Sequence, residues 1–271
     1  MKYKMIISDY DGTLATEGGI IPQQTCDKIV EYKKAGGKFV LCTGRATPSA
    51  EDTLKTLPID IDATLTFQGA DIKVNGNFVK KAGIAVQTLV PILEELLTVK
   101  KEFCFYTDEC LYYNCEGYPP MEYYKMFFPR KQAYVTDILG QLKSLSGYVK
   151  KMNVMKTPDE NTDKVVEILS KYTDIINFNS GASIIIEVIN KTCTKYTASK
   201  FITEHFGINE DEVITIGDST NDLALLDFGF PIAVASGSDL LKQKAKYIAP
   251  SIEDLPVKHV IEMVLDGKDF I

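Results

Sequence analysis

The chain has 271 residues, enough for one large domain or two modest ones with buried cores. Hydrophobic residues make up 45% and charged residues 25%, ordinary values for a soluble globular protein. The net charge of −7 argues against a general basic field, so we expect no nucleic-acid partner. No apolar run approaches the roughly eighteen residues of a membrane span, and the N-terminus leads directly into a strand pattern. We therefore expect no membrane partner and a cytoplasmic location.

The six cysteines indicate free thiols rather than a disulfide framework. The chain is not small and carries no signal-peptide pattern, and the cysteines lack paired C-x-x-C spacing. A zinc site is the weaker alternative. We expect free, mostly buried thiols at positions 26, 42, 104, 110, 115 and 193.

The first informative stretch places two carboxylates after a short apolar strand. Met5-Ile6-Ile7 predicts a buried strand, and Asp9 and Asp11 follow it directly, before a turn at Gly12. Active sites of open α/β sheets lie at this end of the strands. The turn allows the two acids to diverge, so that one attacks a substrate and the other manages a proton. An isolated D-x-D would more often be two surface acids before a turn.

A second strand ends in a hydroxyl and a glycine. A helix beginning near Pro22 and ending at Gly36-Gly37 precedes the strand pattern at 38–42, and Thr43-Gly44-Arg45 follows it. Strand, helix and strand predict a right-handed parallel crossover, which brings Thr43 to the same sheet edge as Asp9. Thr43 and the backbone of Gly44 suit a phosphoryl oxygen. Arg45 either reaches substrate or pairs with a nearby acid.

The pattern changes after a third strand and a hairpin. A helix near 48–57 leads to a strand at 63–67, and the Asn75-Gly76 pair predicts the hairpin turn. From about 83 to 189 a helix at 87–99, aromatic strands and a further helix near 162–172 predict a separate α+β unit. Its aromatic residues mostly suit a core. Candidates for substrate contact in this unit are Tyr112, Asn114, Tyr123, Lys125 and Arg130.

Two more candidate site motifs follow residues 183–189, where we expect the chain to return from the α+β unit to the sheet domain. A helix running to Phe206 opens with two candidate lysines, Lys191 and Lys195. A strand at 213–216 then delivers Gly217-Asp218-Ser219-Thr220-Asn221-Asp222, before a predicted helix at 223–226. Asp218 emerges beside Asp9, and oxygen ligands from two strand ends suit a hard cation such as Mg²⁺. Helix capping alone would explain Asp222, but not the recurrence of acids at strand ends.

The chain resembles the haloacid dehalogenase superfamily of phosphohydrolases, and within it the Cof-type sugar-phosphate phosphatases. The resemblance is carried by four motifs together, which are D-x-D-G-T-L, Thr43-Gly44, the helix-start lysine and G-D-x-x-N-D. The resemblance implies a Rossmann-like α/β core with a parallel sheet, formed by residues 1–82 and 190–271. It also implies an inserted α+β cap formed by residues 83–189. One departure lies at Gln68-Gly69-Ala70, where Cof-type proteins usually carry Asn-Gly-Ala.

The resemblance also implies a role for the residues of each motif. Asp9 is the nucleophile and Asp11 the general acid and base. Mg²⁺ is bound by Asp9, the backbone carbonyl of Asp11 and Asp218, with Asp222 supporting the loop and the metal-bound water. The phosphoryl group or its surroundings are held by Thr43, Gly44, Arg45, Lys195 and Asn221. The resemblance favours Lys195 over Lys191.

The expected function is Mg²⁺-dependent hydrolysis of small phosphomonoesters, sugar phosphates above all, through an aspartyl-phosphate. The chain contains no G-x-x-x-x-G-K-[ST] and no G-x-S-x-G, which argues against a P-loop enzyme and a serine hydrolase. Two alternatives remain open at this point. One is a phosphomutase on the same scaffold, and the other is a non-catalytic sugar-phosphate-binding module.

Overall fold

In a computed structural model of the chain, the structure describes residues 1–16, 18–100, 102–126, 128, 130–156, 162–179 and 184–270. The strands, numbered along the chain, are β1 (Met5–Ser8), β2 (Lys38–Cys42), β3 (Ala63–Thr66), β4 (Asp71–Val74), β5 (Asn77–Lys81), β6 (Ile84–Ala85), β7 (Phe103–Tyr106), β8 (Cys110–Tyr113), β9 (Lys131–Tyr134), β10 (Tyr148–Val149), β11 (Lys151–Met155), β12 (Ile176–Asn179), β13 (Ile185–Asn190), β14 (Val213–Gly217), β15 (Phe230–Val234) and β16 (Tyr247–Ala249). The helices are α1 (Gln23–Lys34), α2 (Thr47–Leu54), α3 (Val86–Leu96), α4 (Pro119–Met126), α5 (Ile138–Lys143), α6 (Asp163–Ser170), α7 (Lys195–His205), α8 (Asp239–Lys244) and α9 (Pro256–Leu265).

The described residues form two compact units. The first contains Met1–Arg45, Ala50–Lys81 and Thr194–Ile271, and the second contains Ala46–Ser49 and Ala82–Cys193. The mixed α/β architecture with a largely parallel sheet confirms the fold class expected from the sequence. The assignment of the second unit as a cap stays a prediction.

The first unit is built on an eight-stranded sheet in the order β16-β15-β14-β1-β2-β3-β4-β5. The six strands from β16 to β3 are parallel, and β4 and β5 are antiparallel additions at one edge. β1 lies between β2 and β14, so the chain leaves β1 at the point where the strand order reverses. Open α/β sheets place their ligands at such a switch point.

Alternate residues of the central strands pack against helices on both faces of this sheet. Ile6 and Phe39 belong to a fully buried cluster with Ile29 of α1 and Val260 of α9. On the opposite face, Ile7 belongs to a second cluster that includes residues of α7 and α8. Burial on both faces explains why β1 and β2 are continuous apolar runs rather than alternating patterns.

The predicted hairpin is confirmed between β4 and β5. Asn75 and Gly76 have φ angles of 48° and 78°, the left-handed pair that a two-residue turn requires. All six cysteines are buried, and none of them forms a disulfide in the described part of the chain, in agreement with the expectation from the sequence.

One local prediction is wrong. Residues 223–226 do not form a helix, because the chain makes only a short 3-10 helix at Thr220–Asp222 and then consecutive turns. Phe228 N donates to Leu225 O, and Gly229 follows with a φ of 68°, so the chain reverses into β15 before a helix can propagate.

The second unit contains a six-stranded sheet in the order β12-β13-β11-β7-β8-β9, and a separate pair formed by β6 and β10. Within this sheet β8 and β9 are parallel, and the other neighbouring strands are antiparallel. One face packs on α3 and α6 through buried residues such as Leu93, Phe105, Val154 and Ile168. No helix in the described residues is long and apolar enough to cross a membrane.

We expect the substitution Phe39→Ala to lower the free energy of unfolding by about 3–5 kcal/mol, because it empties a fully buried ring site in the central sheet. The exposed Phe78, with 44% of its surface accessible, provides the control, and Phe78→Ala should cost less than about 1 kcal/mol. Urea unfolding followed by circular dichroism measures both values. Equal losses in the two variants would contradict the assigned core.

Candidate active site

The predicted acids at two strand ends come together in the first unit. Asp9 follows β1 and Asp218 follows β14, and these strands pair in parallel with Ser8 opposite Ile216. Asp9 N donates to Ile216 O at 2.9 Å, which fixes the two strand ends side by side. Carboxylate oxygens of Asp9, Asp218 and Asp222 lie within 4.8 Å of one another.

Lys195 lies between two of these carboxylates. Its Nζ donates to Asp9 Oδ1 and to Asp222 Oδ1, each at 2.5 Å, and the lysine side chain is only 3% exposed. Burial alone would lower the pKa of Lys195, but the charges of Asp222 and Asp9 outweigh it and raise the pKa well above its usual value. Lys195 is therefore a fixed cation.

Lys195 occupies the first position of α7, and its cap explains why the helix starts there. Thr194 Oγ1 accepts from Thr197 N at 3.1 Å, and Thr197 Oγ1 accepts from Thr194 N at the same distance. This reciprocal pair of hydrogen bonds satisfies the backbone N–H groups of Thr194 and Thr197 at the helix start. The local cap therefore fixes the residue at which α7 begins, and that residue is Lys195.

Asp222 supports the loop and the lysine. Its Oδ2 accepts from Asp218 N at 3.2 Å and from Ser219 N at 3.0 Å, while Oδ1 accepts from Lys195. The side chain is fully buried. With both oxygens engaged, Asp222 is better suited to hold the Asp218 loop and Lys195 than to bind a cation directly.

The three acids outnumber the one lysine, which leaves an excess of negative charge. Burial, and then the charge of Asp222, raise the pKa of Asp9 well above its usual value despite the opposing effect of Lys195. Burial is also the main cause that raises the pKa of Asp218 to about 6, against the lowering effect of the Thr13 hydroxyl. A bound cation would relieve both groups.

The loop after Asp11 packs closely against the Asp218 carboxylate. Gly12, with a φ of 75°, lies so close that a Cβ there would be 2.6 Å from Asp218 Oδ2. Thr13 Oγ1 donates to Asp218 Oδ1 at 2.7 Å and orients the carboxylate. Hard oxygen donors from Asp9 and Asp218 therefore fit a divalent cation such as Mg²⁺. Sequence reasoning gave Thr13 no role, although it is the threonine of D-x-D-G-T.

Asp11 lies in a different environment from Asp9. Arg45 binds it through two hydrogen bonds, from Nε to Oδ2 at 2.8 Å and from Nη2 to Oδ1 at 2.6 Å. The guanidinium also stacks over the Tyr10 ring at 4.5 Å from its centroid. Of the two readings of Arg45, pairing with a nearby acid is the one that the described contacts show.

Thr43 is fixed at the end of β2. Its N donates to Leu65 O at 2.8 Å, and its Oγ1 accepts from Arg45 N at 3.1 Å. The side chain is 1% exposed. Asn221, by contrast, is exposed in the short 3-10 helix that follows Asp218. Lys195 Nζ donates to Asp9 and Asp222.

Several candidates of the second unit have structural contacts. Tyr112 packs on Phe105 with ring centroids 5.2 Å apart, and Asn114 Oδ1 accepts from Phe103 N at 2.8 Å. Lys125 pairs with Glu122 at 3.0 Å. Arg130 is exposed, and the side chain of Tyr123 lies outside the described residues. Their role in substrate binding stays a prediction.

The sequence profile of the haloacid dehalogenase-like hydrolase family matches residues 6–261. The chain belongs to this family.

Individual relatives agree in length as well as in fold. The 5-amino-6-(5-phospho-D-ribitylamino)uracil phosphatase YwtE of Bacillus subtilis is 26% identical over 292 aligned positions, which cover 98% of this chain and 99% of the relative. A haloacid dehalogenase-like hydrolase from Bacteroides thetaiotaomicron has the same fold, with a TM-score of 0.80, 19% identity and coverage of 97% and 99% of the two chains. A sugar phosphatase of subclass IIB has a TM-score of 0.75 at 21% identity, with coverage of 97% and 99%.

We predict that the metal-free protein loses stability as pH rises from about 4 to about 6. The raised pKa of Asp218 means that the folded state keeps this proton after the unfolded state has lost it, so the free energy of unfolding falls through that window. We expect a loss of about 2 kcal/mol after allowance for partial solvent access. Thermal melts at several pH values in EDTA measure it.

The matched variant Asp218→Asn should show a flatter pH dependence than the wild type, because it removes the titrating group. The fully exposed Asp174 provides a control, and Asp174→Asn should follow the wild type. Excess Mg²⁺ should stabilise the wild type at pH 7 and leave Asp218→Asn unaffected. The same pH dependence in all three proteins would refute the assigned environment of Asp218.

Proposed function

We propose that this family member is a Mg²⁺-dependent phosphatase that hydrolyses small phosphomonoesters through an aspartyl-phosphate on Asp9. The observation that carries the proposal is the buried Asp9 carboxylate, held at Oδ1 by Lys195 and flanked by Asp218. No described residue donates a hydrogen bond to Oδ2, so this oxygen is the one suited to attack phosphorus. Sugar phosphates are the favoured substrates.

The substrate class is supported by the relatives. One is a phosphatase of a ribitylaminouracil phosphate, and one structural neighbour is a sugar phosphatase. Both substrates are phosphate esters of a polyhydroxylated carbon chain. Since identities are only 21–26%, the individual ester is free to differ while the reaction centre remains the same.

The first displacement forms the bond between Asp9 Oδ2 and phosphorus and breaks the bond between phosphorus and the ester oxygen. Asp11 donates a proton to the leaving alkoxide. Because Arg45 binds both oxygens of Asp11, it must release at least one of them before Asp11 can carry that proton. Thr43 and the backbone of Gly44 hold phosphoryl oxygens during the transfer.

The second displacement reverses these roles. Asp11, now a carboxylate, takes a proton from water as the water oxygen bonds to phosphorus, and the bond to Asp9 breaks to release inorganic phosphate. Lys195 neutralises part of the charge throughout. Mg²⁺ held by Asp9, Asp218 and the Asp11 carbonyl would supply positive charge that offsets the repulsion between carboxylate and phosphate.

We expect Asp9→Asn to lower kcat by about four orders of magnitude, the scale of loss seen when a nucleophile is removed. The amide keeps the size of the side chain but is a far poorer nucleophile. Release of inorganic phosphate measures the rate, and Asp60→Asn, at an exposed acid, is the control. Near-normal turnover by Asp9→Asn in a folded protein would exclude the mechanism.

A panel of phosphate esters, assayed with Mg²⁺ and with EDTA, tests the reaction class. We expect hexose, pentose and ribityl phosphates to release phosphate with Mg²⁺ present, and at least a hundredfold loss in EDTA that added Mg²⁺ reverses. Circular dichroism should show that EDTA leaves the fold intact. A phosphomutase would instead return the phosphoryl group to substrate, and a binding module would retain ester without turnover.

A further inference from the structure

The turn that follows β3 has an unusual backbone. Phe67, Gln68 and Gly69 have φ angles of 50°, 59° and 98°, so three successive residues lie in the left-handed region. Side chains other than glycine rarely adopt this region, and such residues persist where the surrounding structure holds them. Clusters of this kind occur at functional sites.

Two separate parts of the candidate active site hold this turn. On one side, Phe67 N donates to Arg45 O at 2.8 Å and Gln68 N donates to Thr43 O at 3.1 Å. On the other side, Gly69 abuts the start of α7, where a Cβ on Gly69 would be 2.8 Å from Thr194 O. The turn therefore connects the Thr43-Gly44-Arg45 loop with the helix start that carries Lys195.

The side chain of Gln68 extends this connection. It is 7% exposed, and its Nε2 lies so close to Gly44 that a Cβ on Gly44 would be only 2.7 Å away. A glutamine amide is neutral, so it supports the loop without adding negative charge next to a phosphate. Because the side chain is buried, the close packing around it restricts how far the amide can move away from Gly44.

We propose that Gln68 is a positioning residue, which holds the Thr43-Gly44 loop in place through its side chain and fixes the distance from this loop to Lys195 through its left-handed turn. The proposal rests on the proposed function, because it takes this loop to bind the phosphoryl group. Misplacement of such a loop reduces turnover by spoiling the alignment of reacting atoms.

The substitution Gln68→Gly separates positioning from stability. Glycine adopts the left-handed backbone without strain but removes the side chain, so thermal stability should stay within a few degrees of wild type. We expect kcat for phosphate release to fall at least tenfold, with KM changed less than threefold. Asn75→Gly is the matched control, since Asn75 has a similar φ of 48° in an exposed hairpin turn, and it should leave both constants unchanged.

A double substitution tests whether Gln68 acts through Gly44. Gly44→Ala should reduce kcat at least thirtyfold, because the added Cβ would collide with the Gln68 amide. In a Gln68→Ala background the same change should cost less than fivefold, because the amide is gone. Non-additivity of this kind is expected of two groups that are energetically coupled, as neighbours in contact are.

The outcomes distinguish this proposal from the proposed function. Wild-type activity in Gln68→Gly, or strictly multiplicative losses in the double variant, would overturn the positioning role while leaving the phosphatase assignment intact. If the wild type releases phosphate from no ester, the proposed function fails instead. Calorimetric titration with orthovanadate would then still test Gln68, since the positioning role requires at least tenfold weaker binding by Gln68→Gly than by wild type, and equal binding would overturn it.

Discussion

The structure of the candidate site depends on the buried ammonium group of Lys195. It neutralises Asp9 and Asp222 directly, at 2.5 Å to each, in a place that water scarcely reaches. Loss of one partner of a buried ion pair typically costs about 3–5 kcal/mol, because the remaining charge has no compensation. A single lysine among three carboxylates still leaves the site short of positive charge. This deficit, and not the acids alone, makes the site suitable for a cation and for a dianionic substrate together with it.

Convergence of the site follows from the parallel sheet. β1, β2 and β14 are neighbours that run in the same direction, so the residues directly after them reach one edge whatever their separation in the sequence. That edge receives Asp9, Thr43 and Asp218. Lys195 reaches the site differently, from the capped start of α7. The geometry of the parallel strands therefore does not position every residue of the site.

The residues that sequence patterns could place are those that local signals specify. Buried strands, the Asn75-Gly76 turn and the acids at strand ends each have a short pattern. The terminal helix at Pro256–Leu265 has one too, since its first residue is a proline. The contacts of Thr13 with Asp218 and of Gln68 with Gly44 have no local signal, because each joins segments that are distant in the chain. At residues 223–226 a local pattern was misleading. The apolar residues there fit a helix, but the early return of the chain into β15 prevents one.

The two acids of the D-x-D pair show how environment assigns different chemistry to the same side chain. The Asp9 side chain is 9% exposed and bound to an ammonium that cannot leave, so its carboxylate has one fixed orientation. The Asp11 side chain is 58% exposed and bound to Arg45, whose guanidinium can exchange that carboxylate for a phosphate oxygen. A nucleophile benefits from the first arrangement and a proton carrier from the second. In the proposed mechanism, arrival of a phosphate ester would draw Arg45 from Asp11 and free the acid when the leaving group needs its proton.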